Sequence, residues 1–281
     1  MYRPRVQEAS VSNKAIPVLA ALLLLGSAAA WYWWPHIAPT PSPPPAVTAP
    51  VGPEPEPAIA NPMPAPAADA PALPALADSD APFAAALAAL PGAGGIGAYL
   101  QPENFIRHIV ATIDNLPRHR LAAELRPLKP TPGEFQVSGG DEQAVLDARN
   151  AARYAPLVAL LGKLDMRAVN GLYQHFYPLF QRAYQDQGYP QGYFNDRLVA
   201  VIDHLLATPR PTAPLALVRP KVFWEFADPE LEARSAGQKL LLRIGADNAA
   251  VVERKLRELR AMVAAGSPAA RAATTPPAAN Q

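Results

Sequence analysis

The chain has 281 residues, among them 35 prolines and no cysteine, and its formal charge balances to +1. The missing thiol excludes a disulfide framework, a thiol nucleophile and a zinc–cysteine site. The near-neutral charge, without a long basic run, argues against a nucleic-acid partner, which calls for a strongly basic face.

Residues 1–14 carry Arg3, Arg5 and Lys14 against Glu8 alone. Residues 15–34 hold no charge, and about 20 apolar residues at 1.5 Å rise match a hydrocarbon core about 30 Å thick, so this stretch reads as a single-pass transmembrane signal anchor. The positive-inside rule then leaves the N-terminus cytoplasmic and displays the rest of an inner-membrane protein in the periplasm. Trp31, Tyr32, Trp33 and Trp34 supply an interfacial aromatic belt, and Pro35 ends the helix. A cleaved signal peptide competes with this reading, with residues 19–25 as its apolar region and 28–30 as a small-residue cleavage site; either exports the domain. In residues 35–82 about every third residue is proline, which favours a polyproline II spacer or an unstructured linker over packing.

Large apolar side chains return at residues 83–264, enough chain for one self-sufficient core without a staple. Asp80 is placed to cap a short helix reaching Leu90, and the glycines at 92, 94, 95 and 97 follow as a flexible joint. Residues 102–116 form the next expected helix, with Phe105, Ile106, Ile109, Val110, Ile113 and Leu116 on one face, Pro102 in the first turn and Pro117 as the stop. Phe135 and Val137 alternate with polar neighbours before Ser138, Gly139, Gly140 and Asp141, and residues 144–146 resume the pattern, which reads as a small hairpin.

Two helices come next. In residues 151–164, Tyr154, Leu157, Val158, Leu161 and Leu164 point inward. Residues 166–187 are capped by Asp165, and Leu172, Tyr173, Phe176, Tyr177, Phe180 and Tyr184 make this the candidate central helix, kinked at Pro178. Residues 195–207 bury Leu198, Val201, Ile202 and Leu205. Residues 215–218 and 222–226 read as short extended pieces around Pro220, and Asp228 caps a helical turn. Helices at 235–244 and 247–264, joined at Gly245, close the domain. The fold class expected is mostly α with a small hairpin and extended pieces, one helical domain behind a membrane anchor. An Ala, Thr and Pro-rich tail, residues 265–281, follows.

Residues 188–209 (GYPQGYFNDRLVAVIDHLLATP), 112–118 (TIDNLPR), 220–229 (PKVFWEFADP) and 235–244 (SAGQKLLLRI) are long and unusual in composition. On these motifs the chain, over about residues 78–263, resembles the bacterial family known as domain of unknown function 3014. The resemblance implies an N-terminal membrane segment and a Pro-rich linker, and implies no reaction, ligand or residue role.

Chemistry must therefore be read from the residues. Tyr189, Tyr193, Asn195, Asp196, Arg197, Asp203 and His204 form the densest polar and aromatic cluster and are the candidate interaction surface. Asp196 and Asp203 share the helix face opposite the apolar stripe, and paired carboxylates serve acid/base work or hold a hard cation. Nearly two turns, about 10 Å, separate them along the helix, so neither a shared proton nor a shared ion follows. The plainer reading makes Asn195 the cap and leaves Asp203 and His204 facing water. Adjacent Asp203 and His204 form no triad, and no nucleophile-elbow serine is present. His36, His108, His119, His175 and His204 show no zinc-site spacing, and the glycines at 92–97 form no phosphate loop, so no metal or cofactor is expected. Tyr189 and Tyr193, between glycines and Pro190, are the better binding candidates, with Arg118, Arg120, Arg126, Lys129, Arg219 and Lys221 as a candidate basic rim.

These readings favour a non-enzymatic envelope module that holds an envelope protein or cell-wall partner at a set distance from the membrane. The alternative is a hydrolase or transferase acting on a wall polymer through Asp196, Asp203 or Glu225 with His204.

Overall fold

The structure is a computed structural model and describes residues 58–64, 71–140 and 143–266. The expected anchor at 15–34, most of the expected linker, Asp141 and nearly all of the tail lie outside the described residues. Among the described residues no helix is long and apolar enough to cross a membrane.

The helices are α1 (Asp80–Ala88), α2 (Phe105–Asn115), α3 (Arg149–Lys163), α4 (Met166–Asp186), α5 (Phe194–Leu206), the single turn α6 (Pro229–Glu232), α7 (Ala236–Arg243) and α8 (Ala246–Val263). Strand β1 (Val137–Ser138) pairs antiparallel with β2 (Val145–Leu146), Val137 opposite Leu146. Strand β3 (Leu217–Val218) pairs antiparallel with β4 (Glu225–Phe226), Leu217 opposite Phe226. The mostly helical expectation and the first hairpin hold. The two extended pieces around Pro220 join into a second hairpin.

Helix α4 is central because its large apolar side chains recur every three or four residues: Tyr173, Phe176, Phe180 and Tyr184 are all buried. Against it pack α1, α2, α5 and α8. Phe83 of α1 meets the Phe176 ring edge-on at 5.0 Å, and Phe194 of α5 stacks on Phe180 at 5.7 Å, geometries that the ring quadrupole favours. Burying one such side chain stabilises the fold by about 1.5–3 kcal/mol. The helix runs through Pro178 as one element, capped by the Asp165 carboxylate, which accepts from the Arg167 N–H at 2.8 Å.

Three local expectations need correction. Asp80 caps a different helix: it is the first residue of α1, and its carboxylate reaches across to α2, accepting from the backbone N–H of Asn104 at 2.7 Å and of Phe105 at 2.8 Å. Pro102 is not in the first turn of α2, because Asn104 adopts a left-handed φ of 51° that a helix cannot include. Gly92 is no part of a loose joint. Gly92, at φ +84°, lies against the C-terminal end of α3, where a Cβ would come within 2.1 Å of the Lys163 carbonyl oxygen.

Apolar packing also begins ahead of residue 83. Met63, Leu73 and Leu76 lie against the main core. An extended, proline-containing chain can do this because it lays side chains on a helical surface without needing ladder hydrogen bonds of its own.

Candidate functional site

The seven residues singled out at 189–204 do not share one surface. Asn195, read as the cap of α5, is fully buried and caps nothing. Its Oδ1 accepts from the Tyr173 hydroxyl at 3.2 Å, while its Nδ2 donates to the carbonyls of Asn61 at 2.8 Å and Val263 at 2.9 Å. The start of α5 is satisfied from α4 instead. Gln181 Oε1 accepts the Phe194 N–H at 2.8 Å. Tyr193, half-buried, occupies the position just before the helix. Burial raises the phenols of Tyr173 and Tyr177 above their ordinary value.

The two carboxylates on the outer face of α5 are each committed to a separate partner. Asp196 accepts from the backbone N–H groups of Ala60 at 3.0 Å and Asn61 at 2.6 Å, and from Asn61 Nδ2 at 3.0 Å. Asp203 pairs bidentately with Arg260 of α8, its two carboxylate oxygens meeting Nε and Nη2, the latter at 2.9 Å. His204, expected to face water, is half-buried with Nε2 2.8 Å from Ser235 Oγ. Glu225 sits in β4, half-buried. Among the described residues no three His, Asp or Glu side chains gather as a metal set.

Tyr189 and Arg197 do converge, on an acidic residue of α2. Asp114 of α2 is 3% exposed. Its carboxylate accepts from Arg197 Nε at 2.8 Å, Arg118 Nη2 at 2.9 Å and the Tyr189 hydroxyl at 3.2 Å, and its backbone carbonyl takes Arg197 Nη2 at 2.7 Å. Tyr189 also stacks on Tyr184 with ring centroids 4.5 Å apart. Close by, Gly237 of α7 donates its N–H to the Leu116 carbonyl at 2.9 Å, an approach so tight that a Cβ would meet Leu205 at 2.6 Å. Three of the four distinctive motifs therefore meet where α2 ends and α5 and α7 cross it. A buried carboxylate held by two guanidiniums and a phenol is a cross-brace, since removing one partner would strand a buried charge.

Beside this brace lies a cleft of about 430 Å³, lined by Arg107, His108, Arg118, Asp186 and Tyr189 among others. Arg107 pairs with Asp186 at 3.1 Å across it. The cleft's charges are thus largely answered from within.

The tip of the second hairpin is different. Leu217 and Phe226 bury its base, and the guanidiniums of Arg219 and Arg243 lie over the rings of Trp224 and Phe226 at 5.7 and 5.3 Å. The β2–β3 contact ties the two hairpins together, with Leu217 N–H donating to the Ala144 carbonyl at 2.8 Å. On this fixed base Val218, Val222 and Phe223 remain 42%, 67% and 79% exposed, beside Arg219 and Lys221. The residue-level reading missed this surface. Its signal was a run of three large apolar residues directly after the turn at Pro220, where a solvent-facing turn calls for polar side chains.

Fold and surface together define a mostly helical module with short hairpins, braced by buried ion pairs and presenting one apolar tip. The chain belongs to the family described as "Protein of unknown function (DUF3014)", whose model matches residues 105–260, more than half of its length. No curated protein and no solved structure matches it.

Proposed function

We propose that this chain is a non-enzymatic interaction module of the cell envelope. Residues 15–34 anchor it in the inner membrane with the N-terminus cytoplasmic, and the helical domain stands in the periplasm, where the hairpin tip at 218–224 docks an envelope protein. The observation that carries this reading is the 79% exposure of Phe223 beside the 67% exposure of Val222, on a hairpin whose base is buried and pinned. Large apolar groups clustered on a rigid surface mark contact sites, because their hydration is relieved by a partner and little conformational entropy is lost on docking. Arg219 and Lys221 match a partner whose apolar pocket has an acidic rim. The alternative, wall-polymer chemistry through Asp196, Asp203, Glu225 and His204, draws no support from side chains bound to Asn61, Arg260 and Ser235. Tyr189 takes a structural part, braced on Asp114, while Tyr193 stays available at the helix start.

The test is reversible cross-linking in growing cells, with capture of the full chain through a C-terminal tag. A reproducible envelope partner is expected, reduced at least roughly tenfold in the double variant Val222→Ser, Phe223→Ser, as for truncated hot-spot residues. The urea midpoint of the variant is expected to stay unchanged, because both side chains already face water. The same partner captured at full yield by the double variant, or no partner besides the chain itself, would overturn the reading.

A further inference from the structure

We infer that a second site, an apolar groove along α3 and distinct from the hairpin tip, takes the chain of a long-tailed anionic amphiphile, with Lys129 meeting its carboxylate or phosphate head. Of the side chains expected to point inward from α3, only Val158 and Leu164 are buried; Tyr154, Leu157 and Leu161 are half-exposed and line the groove with Leu160. Leu240 of α7, 43% exposed, and Leu128, 37% exposed, form its edges. The volume is about 410 Å³, inside the range of about 300–1,000 Å³ typical of small-molecule pockets. The apolar stripe of α3 is therefore wider than its own core uses.

Charge identifies the occupant. Among the described residues, Arg126 and Lys129 are the charged ones of the lining, both cationic, and no acidic side chain lines the groove. Lys129 Nζ donates to the neutral carbonyl of Ala98 at 3.1 Å, which leaves its charge to be answered by a ligand. Both cations ride on a fixed segment, since Lys129 N–H bonds to the Tyr99 carbonyl at 2.8 Å and Gln101 N–H to the Pro127 carbonyl at 2.9 Å. A second copy fits poorly, because a twofold contact across this groove would set two cationic rims against each other with no lining carboxylate between them. An amphipathic helix, about 10–12 Å across, would sit on the groove rather than in it. The chain's own residues 267–281 lack large apolar side chains to fill it.

The full chain carrying Leu240→p-benzoylphenylalanine, irradiated in cells and weighed intact, reads the occupant directly. The expected adduct has the mass of a fatty carboxylate or of an anionic phospholipid, and the two masses distinguish a free amphiphile from a membrane lipid. A polypeptide adduct, or none above the unirradiated control, overturns the proposal. Independently, the purified full chain titrated with carboxyl-labelled dodecanoate is expected to bind one per chain. Lys129→Glu, an exposed change, should weaken this roughly tenfold by trading attraction for repulsion, while uncharged dodecanol binds both chains alike. Equal dodecanoate affinity in the two chains would also overturn it.

Discussion

At the scale of single residues, His204 shows how a polar side chain on an amphipathic helix becomes part of the packing. The Ser235 oxygen accepts the Gln238 N–H at 3.2 Å, which leaves the Ser235 hydrogen free to point at His204 Nε2. The second lone pair of that oxygen can equally accept from Nε2–H, so either imidazole tautomer completes the pair. Burial first, and then the charges of Arg197 and Arg234, hold the His204 pKa below the ordinary 6.5. Because the folded value is the lower one, the unfolded chain binds more protons between the two. The contribution is complete above about pH 6.5, shrinks as pH falls through the folded value, and changes no further below it. Urea unfolding from pH 8 to 5 is therefore expected to show a steeper loss of stability in the native chain than in His204→Gln, which keeps an acceptor for Ser235 but cannot titrate. Parallel slopes would place the pH dependence on other groups.

At the scale of elements, the helix ends are held by a mixture of local and borrowed caps. Asp165, Asp228 and Ser235 cap the helices that follow them, through bonds to backbone N–H groups two or three residues on. Such caps are legible because the donor and acceptor are neighbours in the chain. Asp80 is not of this kind, since its partners lie 24 and 25 positions further on. It couples α1 to α2, so Asp80→Ala is expected to cost about 0.5–2 kcal/mol in urea unfolding and to speed amide exchange at Asn104 and Phe105. If exchange at those two amides is unchanged, α2 is capped by something else. The β1–β2 hairpin carries a related lock. The guanidinium of Arg149 and the hydroxyl of Ser138 hold the Asp147 carboxyl well below its usual range.

At the scale of the whole molecule, the segment at 58–64 matters most, because it joins the Pro-rich stretch to the helical core. Asp196 receives three hydrogen bonds from Ala60 and Asn61, and Asn195 donates back to the Asn61 carbonyl. In the full chain, Asp196→Ala is expected to free this segment and to raise the rate of limited proteolysis between residues 58 and 79 several-fold, with a smaller effect on the urea midpoint. Unchanged cleavage would show that the apolar contacts of Met63, Leu73 and Leu76 hold the segment without the carboxylate.

The sequence by itself determined what depends on neighbours in the chain: which residues form helices, the burial of Tyr173, Phe176, Phe180 and Tyr184 on the central one, the first hairpin, and the family, carried by long contiguous motifs. Only the tertiary structure decided the partners of the polar side chains. Asp196 finds its donors 135 and 136 positions away, and Asp114 meets Tyr189 and Arg197 from 75 and 83 positions away. Helical periodicity reports which face is polar, but says nothing of which distant segment will cover that face. The same reason hid the two exposed apolar surfaces. Whether a Phe in a hairpin or a Leu on α3 is buried depends on whether another element arrives to cover it, and that is settled by packing across the whole fold.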